Sequence, residues 1–159
     1  MKFTLTWLLN HIKLDSKIGV NQVSKALTDI GLEVESVFSP STALKNFIIA
    51  EILEIKNHPN ADRLKICRVD IGEKIYEVVC GATNLENNMK VVFAPIGTTI
   101  PSSGLVLKKK EIRGITGDGM LCSEQELNFG EDSGGIMKLP DDALVGMSFS
   151  EFGNNNDFI

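Results

Sequence analysis

Five short apolar runs occupy the middle of the chain, at residues 47–55, 64–71, 75–80, 91–94 and 105–112. Residues that favour turns separate them: His58-Pro59-Asn60, Gly72-Glu73, Asn87-Asn88, Gly97 and Ser102-Ser103-Gly104. Short runs punctuated in this way read as β-strands. A sheet this small leaves unpaired edges unless it curls on itself, so closure into a small barrel is the expected outcome. The chain is therefore expected to be mainly β, with a five-stranded barrel over residues 41–152.

Residues 1–40 differ in character. Thr6 is placed to cap a short helix over Trp7–Ile12. Val23, Ala26, Leu27 and Ile30 fall at i, i+3, i+4 and i+7, one apolar face of a second helix over 22–30. Asn21 is its expected N-cap, and Gly31 stands where a left-handed C-cap residue belongs. Residues 32–37, Leu-Glu-Val-Glu-Ser-Val, alternate like a strand. Ser39-Pro40-Ser41 reads as a boundary. Two short helices and one strand bury too little to fold alone, so this α/β segment is expected to be half of a small domain that needs a partner surface. Beyond the barrel, Ser123-Glu124-Gln125-Glu126 has the spacing of a capping box and predicts a short helix. Residues 153–159 end on Phe158-Ile159, read as the start of a returning segment cut short.

The net charge of −5 argues superficially against a polyanionic partner. Its distribution argues for one. Residues 1–40 carry four basic and four acidic groups, 41–113 eleven and eight, and 114–159 one and nine. The middle is basic and the end acidic, and a polyanion responds to charges within a Debye length of about 8–10 Å rather than to the total. Four cations fall in six residues, at Lys108, Lys109, Lys110 and Arg113. Strand alternation would set Lys108 and Lys110 on one face and Lys109, with Arg113, nearer the other. The plain structural use of such a run is a lysine-blocked sheet edge; the functional use is contact with phosphates.

Catalytic and metal chemistry have little to stand on. The three cysteines, Cys67, Cys80 and Cys122, are widely spaced, no CxxC occurs, and the only histidines are His11 and His58. Zinc needs clustered ligands, so buried reduced thiols are the better reading. Nothing in sequence orients Cys80 toward a histidine. Residues 114–120, Gly-Ile-Thr-Gly-Asp-Gly-Met, are glycine-rich but lack the Gly-Lys-Ser/Thr of a phosphate loop. The opening MKFTLTWLLNHIKL is broken by Thr4 and Thr6 and has no small-residue cleavage site, which reads as mature cytosolic protein. No run of about 18 apolar residues is present to span a membrane.

The loop His58-Pro59-Asn60-Ala61-Asp62-Arg63-Leu64 joins the first two strands and leads into Lys65 and Arg68. Pro59 ends the first strand, and Asn60 and Asp62 suit a turn by bonding their own backbone. His58 on its own is a turn or packing histidine. With eight Phe, one Tyr and one Trp, exposed stacking rings are scarce; Tyr76, Phe93 and Phe129 are candidates, with core packing the plainer use. Recognition of a folded RNA by shape and backbone fits this composition better than single-strand reading.

HPNADRL, VCGATN and RG-x-x-x-x-GMLCSEQEL, in this order, resemble the tRNA-binding OB domain appended to several synthetases and tRNA cofactors. MLCSEQEL, with GLEVE at 31–35 ahead of it, resembles more closely the beta subunits of bacterial phenylalanyl-tRNA synthetase, that is, phenylalanine–tRNA ligase. The resemblance covers essentially the whole chain. It implies a five-stranded OB-fold that binds tRNA, set between the halves of a split first domain: 1–40, then the barrel at 41–152, then a return beginning at 153–159. It implies an (αβ)₂ tetramer whose alpha subunit joins phenylalanine to tRNA with ATP and magnesium. No catalytic site, metal or cofactor falls in this region, and neither DNA nor a membrane is an expected partner. By position, Asp62, Leu64, Asn84, Arg113, Gly114, Gly119, Met120, Ser123 and Glu124 match the family motifs. The expected tRNA contacts are Arg63, Lys65, Asn84, Lys108, Lys109, Lys110, Arg113, Met120 and Ser123. Gly117 stands where related domains carry Ser, which puts a hydroxyl contact there in doubt, with Thr116 as a substitute. The competing reading is a structural module that docks on the other subunit or on other beta-subunit domains.

Overall fold

A computed structural model describes residues 3–13, 18–37 and 39–152. Helix α1 spans Leu5–His11 and is capped by Thr4, whose hydroxyl accepts from the Trp7 amide at 3.0 Å. The expected cap, Thr6, lies inside this helix. Two threonines two residues apart compete for one role, and the earlier one is extended in backbone, as a cap requires. Helix α2 spans Val20–Asp29. Its N-cap is Gly19 rather than Asn21, and the Gln22 side chain reaches back to the Gly19 amide at 3.0 Å. Gly31 takes the left-handed conformation expected of it, at φ 92°.

Residues 32–37 do not form the expected strand. Leu32 is 55% exposed and Ile30 74%. Alternation gives a strand only where a neighbouring ladder satisfies its backbone, and these residues join none. The short helix α3 follows at Pro40–Ala43. The expected segment at 153–159 lies outside the described residues.

The β region begins with β1, Ile48–Asn57, then β2, Lys65–Asp70, β3, Ile75–Cys80, and β4, Lys90–Pro95. A hairpin of three-residue strands comes next, β5 Lys110–Ile112 and β6 Ile115–Gly117, and then β7, Gly119–Leu121. The main sheet is antiparallel in the order β3-β2-β1-β4-β7. It curls because β1 is long and irregular: Glu51 pairs with both Asp70 of β2 and Lys90 of β4, and the register shifts between Ile52 and Glu54. A bulge of this kind bends a strand. The two ends meet where the Asp118 amide donates to the Glu77 carbonyl of β3 at 3.0 Å. The result is the expected five-stranded, nearly closed barrel with a few short helices.

The fifth barrel strand is β7 and not the run at 105–112, the one barrel strand that sequence misplaced. Residues 97–107 instead fold back on themselves, with Gly97 donating to Leu107 and Leu107 to Thr98, both at 2.8 Å. Gly119 explains why β7 can approach β4 closely. A Cβ there would lie 2.5 Å from Phe93 Cζ and 2.7 Å from the Ala94 carbonyl oxygen, so only glycine fits.

Two cores share β4. Val91 and Phe93 face the barrel interior with Ala50, Ile52, Cys67, Val69, Val78 and Leu121. Val92 and Ala94 face the other way, against Leu44, Phe47, Leu127, Leu139 and Phe149. The latter group comes largely from the segment after the barrel, which returns through Phe149 to the short helix α4, Phe149–Phe152. Burial on both faces is why residues 91–94 are uniformly apolar instead of alternating.

Candidate nucleic-acid interface

One end of the barrel gathers the close of β1 at Asn57, the start of β2 at Lys65 and the close of β3 at Cys80. Antiparallel pairing forces this, since Lys65 lies opposite both Asn57 and Cys80. The β5–β6 hairpin brings its tip to the same end. Its turn is Arg113-Gly114, with φ 51° and 92°. Two successive positive φ values define a type I′ turn, which suits a two-residue hairpin. Gly114 takes this conformation freely, whereas Arg113 pays about 1–2 kcal/mol for it.

Bonds across the rim hold that strained arginine. His58 is 4% exposed and sits between the loop and the hairpin. Its Nδ1 accepts from the Asn60 amide at 3.1 Å, which leaves Nε2–H to donate to the Ile112 carbonyl at 3.0 Å. The Asn60 side-chain amide donates to the Arg113 carbonyl at 3.1 Å, and an Arg113 guanidinium nitrogen donates to the Asn60 carbonyl at 3.4 Å. Asn60 thus bonds across to the hairpin instead of to its own turn. The loop itself closes by His58 N–H to Leu64 O and Leu64 N–H to Ala61 O, both 3.1 Å.

Around this junction Arg63 and Arg113 are exposed. Lys65 is half-buried, and its ammonium donates to the Asn57 side chain. Lys108 and Lys110 are exposed along the arm of the hairpin, and neither forms an ion pair among the described residues. Lys109 does: its ammonium lies 2.9 Å from Asp118 Oδ1. Arg63, Lys65 and Arg113 therefore lie at one end of the barrel, Lys108 and Lys110 lie along the adjoining arm, and Lys109 is partly neutralised.

The other three expected contacts are engaged within the fold. The Asn84 side chain donates to the Ile136 carbonyl at 2.9 Å and accepts from the Ile136 amide at 3.0 Å, clasping two distant segments. Met120 is half-buried and packs on the core shared with Phe149. Ser123 is buried, and both its amide and its hydroxyl donate to Glu126 Oε2, at 2.7 and 2.9 Å. The capping box was expected, and it forms. The helix does not, because Asn128 turns left-handed, at φ 56°, after a single turn. A Cβ at Gly117 would lie 3.7 Å from the Val79 amide nitrogen, an ordinary contact, so the backbone leaves room for a Cβ there.

Phe93 is fully buried and its ring centroid lies 5.1 Å from that of Tyr76, so it packs the core and offers nothing to a base. Phe129 packs on Phe149 at 5.3 Å. Burial raises all three thiols above the ordinary range, Cys67 to about 12. Protonated thiols are poor nucleophiles, and both ring nitrogens of His58 are already bonded. Among the described residues no group of three or more His, Cys, Asp or Glu side chains is placed to hold a metal. No helix among them is long and apolar enough to cross a membrane.

Residues 47–148 match the family model described as "Putative tRNA binding domain". The chain belongs to the tRNA-binding domain family. Among relatives of this tRNA-binding domain, the phenylalanine–tRNA ligase beta subunit of Rhodospirillum rubrum is 48% identical over 92% of this chain and 18% of its own length. That of Cereibacter sphaeroides is 44% identical over 99% of this chain and 20% of its own length. The resemblance carried by HPNADRL, VCGATN and GMLCSEQEL is borne out. The chain spans about a fifth of the length of these relatives. The C-terminal domain of Plasmodium vivax p43, a solved structure, superposes with a TM-score of 0.47 at 24% identity, covering 67% of this chain and 59% of that one. The barrel assignment rests on the strand order described above.

Proposed function

We propose that this chain is the tRNA-binding region of a phenylalanine–tRNA ligase beta subunit, and that it supports attachment of phenylalanine to tRNA by the whole enzyme. The observation that carries this reading is the junction of Asn60 with Arg113. It unites the β1–β2 loop and the β5–β6 hairpin, so that Arg63, Lys65 and Arg113 share one cationic rim that Lys108 and Lys110 extend along the hairpin arm. Arginine and lysine at such a rim contact phosphates and fix orientation without reading sequence. Asn84, Met120 and Ser123 serve the fold, Asn84 on Ile136, Ser123 on Glu126 and Met120 on the second core, and Lys109 contributes less because Asp118 balances it.

The whole enzyme is an (αβ)₂ tetramer in the cytosol. ATP and magnesium belong to its other parts. Residues 1–40 form one half of a small domain and 41–152 the tRNA-binding barrel. Footprinting of phenylalanine-accepting tRNA on the full-length enzyme tests the reading. Protection of tRNA phosphates should be lost at discrete positions when Arg63, Lys108, Lys110 and Arg113 are neutralised. An unchanged footprint contradicts it.

A second reading, docking on the alpha subunit or on other beta-subunit domains, is favoured by one observation. Trp7, Leu9, Ile12, Ile30 and Leu32 are all exposed in the N-terminal segment, an apolar surface of the kind that marks protein contacts. Capture of the alpha subunit by beta subunits with and without residues 41–152 separates the two. Capture that needs the barrel supports docking by the barrel; capture that survives without it but is lost when Trp7, Leu9 and Ile12 are replaced by Ser assigns docking to the N-terminal segment and leaves the barrel to tRNA.

A further inference from the structure

We propose that His58 and Asn60 are positioning residues for tRNA: they latch the cationic hairpin to the β1–β2 loop and so fix the spacing of its charges before RNA arrives. The inference rests on the tRNA-binding reading given above, and neither residue carries charge to the phosphates in it.

The latch is needed because the hairpin is weak by itself. Its strands β5 and β6 have three residues each, and an isolated two-stranded ribbon is marginal in water. At its base Lys109 pairs with Asp118, an exposed contact of small worth. At its tip a residue other than glycine is held at φ 51°. Four bonds converge there. His58 Nε2 to Ile112 and Asn60 Nδ2 to Arg113 fix two successive hairpin carbonyls. The Arg113 guanidinium returns to the Asn60 carbonyl, and the Asn60 amide to His58 Nδ1.

One imidazole thereby fixes both partners, and its two nitrogens have distinct roles. Because Nδ1 must accept from a backbone amide, the proton resides on Nε2, and Nε2 is the only atom that reaches the hairpin. Burial of His58 limits competition from water at both part-buried bonds. Without the latch, Arg113 and Lys110 would still be present but would have to be ordered during binding, and that ordering weakens affinity.

The test uses fluorescein-labelled phenylalanine-accepting tRNA and three variants of the 159-residue chain. His58→Asn keeps an acceptor for the Asn60 amide but is too short for Ile112. His58→Gln places its amide near the position of Nε2 and reaches Ile112. Asn60→Ala removes only the exposed bond to Arg113 and guards against a His58 variant that fails to fold. His58→Asn and Asn60→Ala should each raise Kd by about three- to tenfold. The slope of log Kd against log salt should not change, because no cation has been removed. Amides of residues 110–117 should exchange faster with solvent. His58→Gln should recover Kd to within about twofold of native, since the hairpin bond is restored.

Native affinity in both His58→Asn and Asn60→Ala would overturn the latch while leaving tRNA binding intact. A lower salt slope in His58→Asn would also overturn it, because the imidazole would then be acting as a charge. Absence of tRNA binding by the native chain at low salt would instead defeat the functional reading, and the positioning role with it.

Discussion

Lys109 Nζ lies 2.9 Å from Asp118 Oδ1, so the middle lysine of the 108–110 run is paired on the fold while its neighbours are not. The same aspartate supplies the amide that closes the barrel on Glu77. One residue thus both joins the sheet ends and separates three adjacent lysines into two roles.

The three lysines should therefore behave differently. Lys108→Ala and Lys110→Ala should each lower the salt slope of tRNA binding by roughly 0.7–0.9, the value for one neutralised phosphate. Lys109→Ala should lower it by clearly less and should cost at most about 1 kcal/mol of stability, as for an exposed pair. Anisotropy titrations between low and moderate salt, with urea unfolding of the same variants, measure both.

Arg113→Gly separates charge from backbone. It removes a cation but relieves a left-handed arginine, worth about 1–2 kcal/mol. The lost bond to Asn60 offsets that gain. Stability should stay within about 1 kcal/mol of native, while the salt slope falls by roughly one phosphate.

Asn84→Ala should show the opposite pattern. Both Ile136 backbone groups lose their partner, at a cost of about 1–3 kcal/mol for each group left buried and unsatisfied. The urea midpoint should drop and the salt slope should not move. A reduced slope with native stability would make Asn84 a direct RNA contact.

Stability should fall as the solution becomes alkaline. Burial raises Cys67 to about 12 and Cys80 and Cys122 upward as well, from an ordinary value of 9.0. The unfolded thiols ionise first, so the stabilisation is complete below pH 9 and is lost as pH rises toward the folded values. Each protected thiol contributes about 1.4 kcal/mol per pH unit within that window. Urea midpoints at pH 8 and pH 10.5 should differ, and replacing Cys67 by Ala should shrink the difference. Equal midpoints would contradict the thiol burial.

Sequence showed the elements whose signal is local. Strands β1 to β4 were legible because each is long enough to display an apolar run between turn residues. β7 was not: it has three residues, one of them glycine, and that glycine reflects the Phe93 ring beside it, a contact visible only after folding. The apolar run at 105–112 looked more like a barrel strand but is split between a fold-back and an outer hairpin. Residues 137–149 were not legible because their apolar residues serve a second core, on the face of β4 that alternation would assign to solvent. For the site, residue types alone singled out Arg63, Lys65, Lys108, Lys110 and Arg113. The latch did not show, because the bond from His58 to Ile112 spans 54 residues and no local pattern encodes it. Asn84 and Ser123 sit in recognisable motifs, yet their polar groups are spent on Ile136 and Glu126.

The claim beneath all of this is that cations held on one rim bind a polyanion in spite of an acidic chain. Its most direct measurement is the salt dependence of tRNA binding by the native chain and by a variant with Arg63, Lys108, Lys110 and Arg113 all replaced by Gln. The native slope should be steep, and the variant's should be lower by roughly 2.8–3.6, with its fold intact by circular dichroism. Parallel slopes for the two proteins would contradict the claim.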